Sequence, residues 1–201
     1  MDSLPANQQR LSDSAPQSFV KFYGSNADLV PRTWTTLSAV QRAGNHAVCA
    51  YPKGRRPRQV QDDAVMFMGR LVADDIMIYG RAIAKHHEEG ADDATEEDFR
   101  IREWRRKFPH YIRVHSPEFM GGTLAMGVSL NELMDSLYFD AFEVTRRNYE
   151  AGRGNIDPHK SIGPQPAVLL SQKGSAWVNE RLDERFRHHG KLSKADLADV
   201  W

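Results

Sequence analysis

Apolar and polar residues alternate along Ser18–Tyr23 (SFVKFY), a two-residue period that predicts a β-strand, and the GSNAD run behind it supplies turn residues that end it. Between Thr33 and Ala43 the period changes. Trp34, Leu37 and Val40 recur at helical spacing and Gly44 stands where a helix terminus favours glycine, so a helix is predicted there. His46–Tyr51 (HAVCAY) reads as a second strand. Ala64–Val72 and Ile76–Lys85 read as the two arms of one hairpin, and Gly69 and Gly80 inside them predict bulges or sharp bends. Thr95–Trp104 predicts a short helix capped by Thr95 or Asp93, with Glu96 or Glu97 in its first turn. Tyr111–Val114 predicts a strand ended by Ser116-Pro117. Ser129, with Glu132 three residues on, is a capping box that opens a helix through Leu137, and Phe139–Ala151 predicts a second helix. Residues 152–166 read as a long loop, Ala167–Ser171 as the last strand, and the chain from Ser171 or Gln172 to His188 as an amphipathic helix with Trp177, Leu182 and Phe186 on its apolar side.

Two bent strands in one hairpin suit a sheet that curls. The expected fold is α+β: a small, strongly bent mixed sheet or partly open barrel with flanking helices. The expected layout is a flexible N-terminal tail over 1–17, a single domain over 18–189 with a long insertion at about 138–166, and a C-terminal tail over 190–201. With 201 residues, 40% hydrophobic and 27% charged, the chain has the composition of a globular protein rather than a disordered one. Apolar runs such as Ala64–Met68 and Ala167–Leu170 are too short to cross a bilayer, and no membrane partner is expected. The first seventeen residues lack the apolar stretch of a signal peptide, and the single cysteine, Cys49, cannot form an internal disulfide or a cysteine-rich zinc site. Cys49 is expected in the core, and the protein in the cytoplasm.

Basic and acidic residues balance at 27 each, so the chain has no global positive field with which to coat nucleic acid. Locally the charge is uneven: KGRRPR at 53–58 has four basic residues in six, and Glu88–Glu103 has eight acids against two arginines. Nothing nominates a catalytic centre. The histidine pairs His86-His87 and His188-His189 lack the i, i+4 spacing of a helical zinc site, and no HExxH occurs. The pairs Asp62-Asp63 and Asp74-Asp75 fall at turns, where aspartate serves local hydrogen bonding. There is no GxSxG and no phosphate-binding glycine loop. No metal and no cofactor is predicted.

Several segments, in their order along the chain, resemble the YTH and EVE domains of the PUA-like superfamily. VKFYGSNADL at 20–29 is similar to the first strand and following loop of that family, and Trp34 stands where the family places a cage tryptophan. MFMGRLVADDIMIYGRAIA at 66–84 resembles its central hairpin. In FRIREWRRKFPHYIRV at 99–114, Phe99 and Trp104 keep the spacing of two family tryptophans, with Lys107-Phe108 next. VSLNEL, QPAVLLS and a last helix follow in the EVE order. The sequence departs from the pattern at Phe99, which replaces a tryptophan, in the longer Asp135–Pro166 segment, and in the KGRRPR loop.

The resemblance implies a non-enzymatic module that holds a flipped, modified base of DNA or RNA in an aromatic pocket, in a restriction, defence or RNA-regulatory setting, with an effector protein as a further partner. The pocket residues expected are Tyr23, Ser25, Asn26, Trp34, Thr35, Phe99 and Trp104, the aromatics stacking the base and the polar groups reading its edge. The phosphate contacts expected are Lys53, Arg55, Arg56, Arg58, Arg105 and Arg106, with Arg146, Arg147, Arg153 and Lys160 as a second edge. Core packing competes with the pocket role at Trp34, Phe99 and Trp104. Two other readings stand beside it: a small hydrolase of a modified nucleoside using Lys21 and Asp28, and an interaction subunit with a vestigial cleft.

Overall fold

The computed structural model describes residues 15–22, 41–43, 46–57, 60–85, 93–101, 103–154, 156–162 and 167–193. The expected tails over 1–14 and 194–201, the first part of the expected helix (33–40) and the loop end at 163–166 lie outside them. The strands are β1 (Ser18–Phe22), β2 (Gln41–Ala43), β3 (His46–Tyr51), β4 (Val65–Val72), β5 (Asp75–Ala84), β6 (His110–Phe119), β7 (Val128–Ser129) and β8 (Ala167–Leu169). The helices are α1 (Glu96–Ile101), α2 (Leu130–Leu137), α3 (Glu143–Glu150), α4 (Pro158–Ser161) and α5 (Gln172–His189). Short 3₁₀ turns occupy Glu103–Lys107, Leu124–Met126 and Tyr138–Asp140.

All strands join one mixed sheet in the order β2-β3-β6-β5-β4-β1-β8, with β7 beside β5. Only β1 and β4 run parallel among these pairs. The sheet is a strongly curled, open half-barrel flanked by helices, the expected α+β class. Its curvature can be measured from one contact. Four inter-strand steps separate β1 from β3, about 19 Å on a flat sheet at the usual spacing, and side chains on a flat face stand side by side. Yet the Lys21 ammonium of β1 lies 4.2 Å from the centre of the Tyr51 ring of β3. The sheet must bend round to bring them together.

Two bulges in β5 and β6 help it do so. Met68 pairs with Gly80 and Gly69 with Ile78, which leaves Tyr79 as the extra residue of β5. Glycine at 80 is required by close approach: a Cβ there meets the Glu118 carbonyl at 2.7 Å and the Phe119 ring. Further along, Ile83 pairs with His115 and Arg81 with Glu118, so Ala82 faces both Ser116 and Pro117. Ser116 takes a φ of 49° at this bulge. The strand expected to stop at Ser116-Pro117 therefore runs on to Phe119, because a bulge accommodates a proline that has no N–H for the ladder.

Other elements also differ from expectation. Gln41–Ala43, assigned to a helix, pairs antiparallel with β3, Gln41 opposite Val48. The Gly44-Asn45 pair between the two strands is a hairpin signal that outweighs the helical spacing before it. The predicted second helix is broken into a 3₁₀ turn and α3, and the predicted loop contains α4. Asp157 caps α4 by accepting from the His159 N–H at 3.0 Å, with Pro158 in the first helical turn. Nor does the chain leave the fold at 190. Gly190 accepts from Gly121 N–H, and Leu192 N–H donates to Phe119, each at 2.9 Å.

The main core packs Phe19, Met66, Met68, Ile78, Leu133 and Phe142 of the sheet and helices with Val178, Leu182 and Phe186 of α5. The α5 contacts Gly174, Val178, Leu182 and Phe186 recur every four residues, one buried stripe as expected, with Trp177 packed against it. Gly174 lets α5 approach the Ala141 carbonyl, where a Cβ would collide. Arg81 then ties β5 to that helix, donating to Asn179 at 2.7 Å and Asp183 at 2.8 Å. A smaller cluster of Val48, Ala50 and Tyr111 packs with Ala94 and Phe108.

Candidate functional site

Along β1 the side chains alternate. Ser18 binds Ser175 of α5 through their hydroxyls at 2.7 Å, whereas Lys21 reaches Tyr51 across the inside of the curl. Cys49 stands two residues before Tyr51 on the same strand and thus on the same side. Lys21 is only 3% exposed, donates to the Phe22 carbonyl at 3.3 Å, and keeps its ammonium over the Tyr51 ring. Burial brings its pKa down from 10.5 to about 8, with Cys49 acting in the other direction.

Tyr51 and Tyr79 are both buried, at 0% and 1% exposure. Burial raises both phenols well above their ordinary range, Cys49 raises them further, and Arg56 and Arg70 oppose the rise at Tyr51 and Tyr79 respectively. Cys49 thus lies within electrostatic reach of Lys21, Tyr51 and Tyr79 together. The hydroxyls of Tyr51 and Tyr79 find no hydrogen-bond partner among the described residues. Buried phenol oxygens usually have one, because leaving a buried polar group unmet costs about 1–3 kcal/mol. The cluster sits at the end of β1, where the chain passes into residues 23–40.

The expected pocket residues Tyr23, Ser25, Asn26, Trp34 and Thr35 lie outside the described residues, as do Arg58 and the side chains of Trp104 and Arg105. Phe99 is half-buried on α1. The helix is capped by Thr95, whose hydroxyl accepts from the Asp98 N–H at 3.3 Å while Asp98 accepts from the Thr95 N–H at 2.9 Å. The acid that completes this reciprocal cap is Asp98. The Arg106 guanidinium lies 4.7 Å from the centre of the Phe99 ring and 3.5 Å from Glu96.

The basic residues divide by environment. Lys53 and Arg55 are exposed on the turn after β3. Arg56 is folded inward, its side chain 12% exposed, donating to Asp93 at 2.9 Å and to the Tyr111 carbonyl at 3.4 Å. His110 Nδ1 lies 3.0 Å from the same Asp93 oxygen without hydrogen-bond alignment. Arg146 pairs with Glu143 and Glu150, each at 2.7 Å, and Arg147 lies 3.7 Å from Glu143, so these two share local carboxylates. Arg153 is exposed, and Lys160 lies 3.6 Å from Asp157.

The chain matches no protein-family model, no curated protein and no solved structure. Its chemistry must be read from its own side chains. The expected membership of the YTH and EVE group rests on the sequence segments alone. Among the described residues no helix is long and apolar enough to cross a membrane, and no three His, Cys, Asp or Glu side chains are placed to hold a metal ion.

The sequence reading named Lys21 only beside Asp28, and it passed over Tyr51 and Tyr79. Alternation marks both tyrosines as sheet residues, but nothing local shows that β1 and β3 face each other.

Proposed function

We propose that this protein is a PUA-like nucleic-acid-binding module of the YTH/EVE type, which holds one flipped, modified base in an aromatic pocket. The observation that carries the reading is the Lys21–Tyr51–Tyr79 cluster at the end of β1. It joins aromatic rings, a cation and two hydroxyls that have no hydrogen-bond partner among the described residues, groups of the kind that meet a planar ring and bond its edge. It adjoins in sequence the segment that bears Tyr23, Ser25, Asn26, Trp34 and Thr35. The Phe99–Arg106 pair offers a second stacking face beside a positive charge. Lys53 and Arg55 are the basic residues best exposed to meet phosphates on the neighbouring loop, while Arg56 serves as a strut.

The test is a titration with oligonucleotides that carry or lack a modified base, on the parent protein and on Trp104→Ala. A stacking role predicts a loss of about 1–3 kcal/mol of binding, roughly tenfold to a hundredfold, with little change in melting. A core role predicts about 3–5 kcal/mol of lost stability with affinity kept in the folded fraction, and that result removes Trp104 from the pocket. A second reading, hydrolysis of a modified nucleoside, is favoured by Lys21 alone, since an amine with a pKa of about 8 can exchange protons near neutrality. Turnover of nucleoside that disappears in Lys21→Met would decide for it.

A further inference from the structure

The segment over residues 138–166, which has no place in the YTH/EVE pattern, brings three aromatic side chains together. Tyr138 and Phe139 follow α2, and Tyr149 lies in the last turn of α3. The Phe139 ring stacks on Tyr149 with centres 3.7 Å and planes 13° apart, and it meets Tyr138 edge-on at 6.4 Å. The two outer residues stay about half open to solvent, 48% at Tyr138 and 49% at Tyr149. We propose that this cluster is a second nucleic-acid contact, a stacking platform for unpaired bases that flank the one held in the pocket. The step rests on the nucleic-acid-binding reading.

Tyr138 caps the end of α2 at φ 45° and ψ −124°, a backbone conformation that favours glycine because a Cβ is crowded there. Half of the side chain carried in glycine's place faces solvent, so packing in the free fold offsets only part of that strain. A cation stands close by. Gly152, at φ 63°, turns the chain back at the end of α3: its N–H donates to the Tyr149 carbonyl at 3.0 Å, and the Arg153 N–H donates to the Asn148 carbonyl at 2.8 Å. Arg153 is thereby held next to the turn that bears Tyr149, exposed and without a carboxylate partner among the described residues. A half-open ring beside such a guanidinium offers one surface to a base and a charge to the phosphate behind it. A protein partner fits less well. Val144, the other exposed large apolar residue of α3, is about 140° round the helix from Tyr149, and Arg146, Arg147, Asn148 and Glu150 share the rest of its surface. The rings stand among charges rather than within the continuous apolar patch that protein partners bury.

The experiment uses three short single strands of equal length: one with every base and a central 5-methylcytosine or N6-methyladenine, one with that central base between abasic sites, and one wholly abasic. Backbone charge is the same in all three. Each is titrated against the parent, Tyr138→Gly and Tyr149→Leu, with melting curves and a solution mass for each protein. We expect the parent to bind the complete strand about fivefold to a hundredfold more tightly than the strand with the central base alone. Either variant should close most of that gap and leave the two abasic-backbone strands unchanged. Tyr138→Gly should also melt no lower than the parent, since glycine adopts this conformation freely, and leucine at 149 keeps apolar bulk against Phe139. Equal affinity for the complete and central-base strands, both above the wholly abasic one, overturns the platform and leaves the base pocket standing. A gap that closes in the variants while the central-base strand binds no better than the abasic one keeps the platform and removes the pocket. Affinity no better than the abasic strand for either of the others overturns both. The platform also fails if the variants keep the gap, if Tyr138→Gly melts well below the parent, or if the parent is a dimer that the variants dissociate, which assigns the rings to a second copy of the chain.

Discussion

Lys21 gives up its proton near pH 8 in the fold, against an ordinary value of 10.5 in the unfolded chain. Between those values the unfolded chain holds a proton that the folded one has lost, so stability rises with pH across this window. The rise attributable to Lys21 is about 3 kcal/mol at the conversion of about 1.4 kcal/mol per pH unit. Tyr51 and Tyr79 act in reverse at higher pH. Unfolded phenols ionise near 10, whereas burial keeps these two protonated, so stability falls beyond that point. The expected profile climbs from pH 8, peaks near pH 10 and then declines. Lys21→Met should lose the climb and keep the decline. Denaturant unfolding at a series of pH values measures both, and a parent that is no more stable at pH 10 than at pH 8 contradicts the burial of a charged Lys21.

At the scale of elements, the capping box at Ser129 is local chemistry with a long-range extension. Its hydroxyl accepts from the Glu132 N–H at 2.9 Å and donates to Asp75, which also accepts from the Asn131 N–H at 3.1 Å. The first turn of α2 is thereby fixed to the start of β5. Ser129→Ala removes the cap and leaves Asp75 short of a donor, and should cost about 1–2 kcal/mol in urea unfolding. A loss below about 0.5 kcal/mol would mean that water replaces the hydroxyl at no cost. The helix start was legible from Ser129 and Glu132 alone, and the bulges from Gly69 and Gly80. Less legible were β2, where the Gly44-Asn45 hairpin signal competes with helical spacing, and the length of β6, where Ser116-Pro117 reads as a stop until a partner strand absorbs it as a bulge.

For the molecule as a whole, equal numbers of acids and bases make the distribution of pairing more informative than net charge. Arg56, Arg146 and Arg147 stand against carboxylates, whereas Lys53 and Arg55 are exposed. If the module binds nucleic acid as proposed, replacing Lys53 and Arg55 with alanine should weaken every sequence alike. It should also flatten the slope of log affinity against log salt by about 2, near one unit per phosphate contact. Arg56→Ala should leave that slope in place and lower stability instead, since it releases Asp93. Affinities measured from low to moderate salt check both, and an unchanged slope in the double variant takes the turn after β3 out of the interface.

The sequence by itself determined the α+β class, most strands, the buried stripe of α5 and the cap of α2, because each depends on neighbours within a few positions. Alternation also fixed which side of its strand Lys21 or Tyr51 occupies. It carried no information about what that side would face. Only the curl of the sheet, set by bulges in β5 and β6, brought Lys21 and Tyr51 together across four inter-strand steps. The pairing of Arg56 with Asp93, 37 residues on, was likewise decided by the fold. A residue's periodicity records its own strand or helix, whereas its charge partner and its cavity belong to chain segments far from it in sequence.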